Sequence, residues 1–304
     1  MMRILQINKG FLLVLMTAII SGFSIFLNKF GVAMTNPYLF VGLKNVVVGV
    51  FLLGFILLYD KKVIASLQKK QWVLLIFIGL IGGAIPFLLF FKGLSITLAV
   101  KAGLLHKSIF IIIAIFSFLF YRIRLPKIVI IGLLGLLIGN MIYLNIKAIS
   151  VNWGDLLVLE AVIFWAIEII FAKKLLIELP ARIVAGGRMI FGSIFIWIFL
   201  LLTNQASLVL NMTLAQFSWV GITAVLLFGY VITFYSGLKY ITAVEATSII
   251  ALGAPITGLL SLLWFGQVIT FSSWLGLVLI GFSILFICGW DFKIIKKWIL
   301  QQNK

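Results

Sequence analysis

Charged side chains placed deep inside long apolar runs are where this sequence could do chemistry. Lys44, His106, Lys107, Glu160, Glu168 and Arg188 lie well within such runs, and Lys101 and Glu245 lie near the starts of theirs. Charge in hydrocarbon is costly and by default marks binding or ion-transfer sites. Glu160, Phe164 and Glu168 recur every four residues, with Trp165 alongside, so they are expected to share one helical stripe. Lipid would not tolerate that stripe, so it should face an internal cavity. There Glu160 could bind substrate or a proton, or simply pair with a basic residue. His106 and Lys107 are adjacent, about 100° apart on a helix, so both can line one cavity wall. Imidazole titrates near neutrality and can carry a proton. The Lys107 ammonium could hold a carboxylate or phosphate, or neutralise Glu160.

Other chemistries find no residues. His106 is the single histidine and there is no His-Glu-x-x-His, so an intramembrane hydrolase or transferase lacks its metal or base. No Gly-x-x-x-x-Gly-Lys-Ser/Thr loop is present to hydrolyse ATP. Cys288 stands alone, which excludes an internal disulfide and a cysteine metal cluster. The reading is a non-enzyme with no cofactor and no metal.

The elements that must hold these residues are membrane helices. Of 304 residues, 64% are apolar and 10% charged, with a mean hydropathy of +1.30. A soluble domain is about half apolar and a quarter charged, and no soluble fold of this length could bury the excess. That excludes a soluble enzyme, a nucleic-acid binder and a disordered chain. Continuous apolar runs fall at about 10–31, 37–59, 72–91, 96–121, 127–146, 154–172, 182–202, 216–238, 241–265 and 273–290. Because they are continuous rather than alternating, they predict helices, which satisfy their own backbone hydrogen bonds in lipid. Pro37, Pro126 and Pro180 sit where a helix tolerates proline, at its first turn. The basic start resembles a signal peptide, but the run Phe11–Val32 is long enough to span and has no small-x-small cleavage site before Lys29. It reads as the first membrane helix.

Basic residues alternate between loops. Arg3, Lys9, Lys61, Lys62, Lys69, Lys70, Arg122, Arg124, Lys127, Lys173, Lys174, Arg182, Lys239, Lys293, Lys296, Lys297 and Lys304 fall on one side. Only Lys29, Lys92 and Lys147 fall on the other. The positive-inside rule then predicts a multi-pass protein of the plasma (cytoplasmic) membrane with both termini in the cytoplasm. The net charge of +17 is a topological signal plus attraction to anionic lipid, not a nucleic-acid footprint. With this orientation, Glu168 lies ~20 Å from the outer end of its run and Arg188 ~10 Å from the inner end of the next, so an ion pair is expected. Glu160 and Lys44 lie ~9 and ~10 Å below the outer end and could also meet, while His106 and Lys107 fall ~15 Å in, at the centre.

The second half repeats the first. Phe91-Lys-Gly-Leu aligns with Tyr235-Ser-Gly-Leu, and at the same offset Ala99-Val-Lys-Ala102 aligns with Ala243-Val-Glu-Ala246. Lys29 then falls on Lys173, Gly42 on Gly186, Lys44 on Arg188, and Gly10 on Gly154. Five runs per copy is odd, so the copies, 10–146 and 154–290, should insert upside down relative to each other. Inverted repeats point to alternating access, with substrate near the midplane at the junction. Pro255, flanked by Gly253 and Gly258, and Pro86, after Gly82-Gly83, should break their helices there. Lys101 and Glu245, at equivalent positions, read either as helix-end charges or as gate residues. The fifth and tenth runs are almost free of polar residues and suit a lipid-facing or dimer-forming periphery.

These features resemble the EamA family of the drug/metabolite transporter superfamily. The resemblance is carried by Pro37 with Lys44, by Trp72 and Gly79, and by Gly154-Asp155-Leu-Leu with Trp165-Ala and Lys173-Lys174. It extends to Arg188 and to Pro255 in Ala-Pro-Ile-Thr-Gly. Where the family often has a proline in the fourth helix, this chain has Ile111, opposite Pro255. The resemblance implies an all-α fold of ten transmembrane helices in two inverted five-helix repeats. It also implies a secondary transporter, in the reading adopted here an exporter, of small polar metabolites such as amino acids. The expected binding set is Lys44, His106, Lys107, Glu160, Trp165, Glu168 and Arg188, with Pro86, Lys101, Glu245 and Pro255 as helix breaks or gates. A proton is the candidate coupling ion and a homodimer the candidate assembly. A multidrug–proton antiporter or a lipid-carrier flippase of the same fold is the alternative.

Overall fold

A computed structural model describes residues 2–122, 125–144, 151–266 and 270–288. Among these, every regular element is helical: α1 (Met2–Met34), α2 (Pro37–Tyr59), α3 (Lys69–Ile96), α4a (Ala99–Lys107), α4b (Ile109–Tyr121), α5 (Lys127–Tyr143), α6 (Trp153–Glu178), α7 (Ala181–Leu202), α8 (Leu214–Leu238), α9a (Ala243–Ile250), α9b (Gly253–Trp264) and α10 (Phe271–Cys288), with short helical turns at Lys61–Ala65 and Ala206–Asn211 between them. Eight segments are long and apolar enough to cross a membrane. α5 is shorter, and α6 is long but carries Asp155, Glu160 and Glu168 within it. The predicted run ends at 145–146 and 289–290, together with Arg124, Lys147 and the lysines beyond Cys288, lie outside the described residues.

Helix starts follow from local chemistry. Asn36 caps α2 by accepting the N–H groups of Tyr38 and Leu39, and Pro37 takes the first helical position. Pro126 and Pro180 instead sit one residue earlier than expected, as the caps of α5 and α7. Three long helices are irregular. α3 passes through a π-helical stretch at Gly79–Ala84, immediately before Pro86. The fourth helix breaks at Ser108, whose hydroxyl turns back to the Leu105 carbonyl at 2.7 Å. The ninth breaks at Ala251-Leu252, just ahead of Pro255 rather than at it. These two breaks occupy equivalent places in the aligned halves, although only the second has a nearby proline.

Packing repeats as well. Lys29 on α1 donates to the carbonyls of Leu94, at 2.7 Å, and Thr97, at 2.6 Å, closing off the end of α3. Lys173 on α6 does the same to Leu238, at 2.6 Å, and Ile241, at 2.7 Å, beyond the end of α8. At one end of the bundle Gly10 abuts Gly237, Arg182 binds Asp60, and Gln71 binds Glu178. At the other end Gly154 abuts Gly93, Asn36 binds Gln205, and Gln216 binds the Met34 carbonyl. Small residues let these backbones meet, as they must where lipid supplies no hydrophobic drive between helices. α5 and α10 pack chiefly on each other through Gly132, Gly139 and Gly276, at the periphery.

Candidate functional site

The site begins with a proline. Pro86 has no N–H to offer the carbonyl of Gly82, four residues back, and the π-helical turn carries the backbone around that gap. The Gly82 carbonyl is taken instead by side chains from the other half of the molecule: Trp165 Nε1 on α6 at 2.9 Å and Arg188 Nε on α7 at 3.1 Å. Only glycine allows this approach. A Cβ on Gly82 would lie 2.2 Å from Glu168 Cγ, and one on Gly83 would lie 2.0 Å from the Arg188 carbonyl oxygen.

Around that carbonyl sits a buried polar cluster. The Tyr235 hydroxyl donates to Glu168 Oε1 at 2.5 Å, and Arg188 Nη1 donates to the Tyr235 oxygen at 3.2 Å. Glu168 Oε2 accepts no hydrogen bond and lies 3.8 Å from Arg188 Nη1. Facing this cluster is the polar side of α1, where Ser21, Ser24 and Asn28 recur at helical spacing. Lys44 of α2 donates to Asn28 Oδ1 at 2.8 Å, and its ammonium stands 4.7 Å from the centre of the Phe91 ring. Lys107 reaches α1 from the break in the fourth helix and donates to Ser21 Oγ. His106 lies edge-on to Trp165, with ring centres 4.8 Å apart, and its Nδ1 has no hydrogen-bond partner.

Lys44, His106, Trp165, Glu168 and Arg188 line a half-open cavity of about 60 Å³. One water needs roughly 10–15 Å³ measured in the same way, so the cavity is sized for a few waters and a larger molecule requires it to expand. Its walls come from both halves of the chain, and Lys44 and Arg188, equivalent in the two halves, both line it.

A family model described as the EamA-like transporter family matches residues 8–145 and again residues 152–289. The chain belongs to the EamA-like transporter family. It is thereby a multi-pass membrane protein of the drug/metabolite transporter superfamily, built from two EamA repeats. Among curated proteins none matches by sequence. A solved chain described simply as the crystal structure of a protein is similar in fold, with a TM-score of 0.68 and 18% identity over 90% of this chain and 94% of that one.

Within this EamA fold the structure brings together Lys44, His106, Trp165, Glu168 and Arg188, with Lys107 one hydroxyl away. The expected stripe from Glu160 to Glu168 does not form. Eight residues at 100° each leave the two carboxylates ~80° apart around the helix. That rotation is enough to put Glu160 on the exposed face with Leu156 and Ile163 while Glu168 is fully buried. Glu160 therefore does not meet Lys44, which Asn28 receives instead. Lys101 is not in the cavity either. It pairs with Asp155 at the end of the bundle, where Asp155 also accepts from Thr97 Oγ1 at 2.6 Å. Glu245 closes a capping box, accepting the Thr242 N–H at 2.8 Å. Tyr235 and Asp155, seen in the sequence only as repeat and motif residues, and the polar side of α1 were not expected at the site. The spacing of Ser21, Ser24 and Asn28 in an otherwise apolar run was a usable signal. For Tyr235 the signal was its hydroxyl, which Phe91, its counterpart in the first repeat, lacks.

Proposed function

We propose that this EamA-like protein is a secondary carrier that exports small polar metabolites such as amino acids by alternating access. The observation that carries this reading is the buried cluster of Lys44, Glu168 and Arg188 around a cavity shared by the two repeats. Unexposed charges in a membrane bundle are expensive unless a ligand or ion uses them.

In this reading ten spans form two inverted five-helix units, 10–146 and 154–290, with both termini in the cytoplasm of the plasma membrane. Supporting it, the start of α1 meets the end of α8 at one end, whereas the start of α6 meets the end of α3 at the opposite end. Equivalent helix starts on opposite faces are what a two-fold axis in the membrane plane requires. Lys44, His106, Lys107, Trp165, Glu168 and Arg188 contact the cargo, and Glu160 is left out of the set. The irregular backbone near Pro86 and Pro255 lets helices flex beside the site, while Lys101 with Asp155 is a gate at the outer end and Glu245 belongs to the inner one.

The test is efflux from proteoliposomes preloaded with labelled amino acids, with and without a pH gradient. Efflux above that of protein-free vesicles, reduced at least tenfold in Arg188→Gln and Lys107→Ala, is the expected result. Efflux that neither substitution changes removes both residues from the site.

A further inference from the structure

We infer that the cargo carries net negative charge and that Lys44 holds its anionic group against the polar side of α1. The inference rests on the carrier reading and comes from accounting for every acidic group near the cavity. The sequence has seven aspartates and glutamates. Asp60 binds Arg182 and Asp155 binds Lys101 at the ends of the bundle. Glu178 binds Gln71, Glu245 caps α9a, and Glu160 is exposed. Asp291 lies outside the described residues. Glu168 is left, and it faces Arg188.

Lys44 and Lys107 are thus buried, each 1% exposed, with neither forming an ion pair among the described residues. An ammonium has three donors. Each of these finds one neutral oxygen, Asn28 Oδ1 or Ser21 Oγ. The Phe91 ring offsets part of the cost for Lys44, but an uncompensated buried charge is strongly unfavourable. Lys44 lines the cavity with donors to spare, so an entering anion finds a site already organised and too positive without it. The anionic chemistry that fits is a small dicarboxylate, the acidic amino acids among them, or a phosphate monoester. A cation would meet Arg188 and two lysines that no carboxylate among the described residues pairs, against Glu168 alone.

The test uses the purified full-length protein and its thermal unfolding at constant ionic strength. Succinate, glycerol phosphate, alanine and putrescine are titrated separately, with chloride as the ionic control. Succinate or glycerol phosphate should raise the unfolding temperature saturably, and the comparison of the two tells a dicarboxylate site from a phosphate one. Alanine and putrescine should bind at least tenfold more weakly. Lys44→Met should weaken anion binding at least tenfold, Lys44→Arg should retain it, and the surface variant Lys62→Met should leave it unchanged. If Lys44→Met does not fold, the ranking of the four solutes on the wild-type protein still decides. Equal binding of all four, preference for alanine or putrescine, or no effect of either anion overturns the inference. Anion binding without anion counterflow in proteoliposomes would instead overturn the carrier reading alone.

Discussion

Arg188 of α7 holds the backbone carbonyl of Gly82 of α3 at 3.1 Å, in a place that an ordinary helix would reserve for the N–H of residue 86. A proline in one half of the molecule thereby creates the acceptor for an arginine in the other. Pro86→Ala returns a competing N–H to that carbonyl. The expected outcome is a fold at least as stable, with transport lowered roughly tenfold, the equivalent of one hydrogen bond worth about 1.4 kcal/mol. Parallel unfolding and efflux measurements check it, and unchanged efflux would deny the carbonyl its role.

The glycines beside it set a steric limit. Gly83→Ala forces a methyl group to 2.0 Å from the Arg188 carbonyl oxygen, and the opposing surface is itself backbone, near Gly192. A loss of about 3 kcal/mol is expected, at the upper end of overpacking costs. Gly54→Ala and Gly221→Ala, where a methyl group meets nothing within 4 Å, should unfold at the wild-type temperature or above. Similar losses at all three positions would contradict the close contact.

Removing one hydroxyl tests the buried cluster. Tyr235→Phe takes away the donor to Glu168 Oε1, whose second oxygen already has no hydrogen bond. A buried acceptor left unsatisfied costs about 1–3 kcal/mol, so a clear fall in unfolding temperature is expected. Glu168→Gln restoring part of the lost stability in that background would confirm that the carboxylate is the strained partner.

The two glutamates of α6 should behave differently. Glu160→Gln alters an exposed position and should change stability by no more than ~0.5 kcal/mol, leaving efflux within about twofold. Glu168→Gln should abolish most of the efflux. Comparable losses from both substitutions would restore the single stripe that the spacing suggested.

Asp155 ties the start of α6 to Thr97 and Lys101 of the first half. In Asp155→Asn this link weakens. With Cys288 replaced by serine, a cysteine introduced at Ser24 should then react several-fold faster with an impermeant maleimide applied from outside. An unchanged rate would show that this contact does not guard the cavity.

Much of this molecule was legible from residue order alone. Hydropathy and spacing are local properties, so the apolar helices, the two repeats and the proximity of Glu168 to Arg188 could be read directly. The pairing of Lys29 with Lys173 in the alignment even anticipated two matching helix-end contacts. What the order of residues left undetermined depends on sideways packing. Glu160 and Glu168 differ by a rotation that spacing in fours understates, and only the neighbouring helices decide which angle faces lipid. The break at Ser108 carries no proline, and Pro86 is absorbed into a π turn that only the close approach of α6 and α7 makes useful. Lys44 finds Asn28 through the angle at which the consecutive helices α1 and α2 meet, which spacing along either helix does not fix. Local pattern specifies which segments enter the membrane; mutual burial, decided all at once among many helices, specifies which of their faces meet.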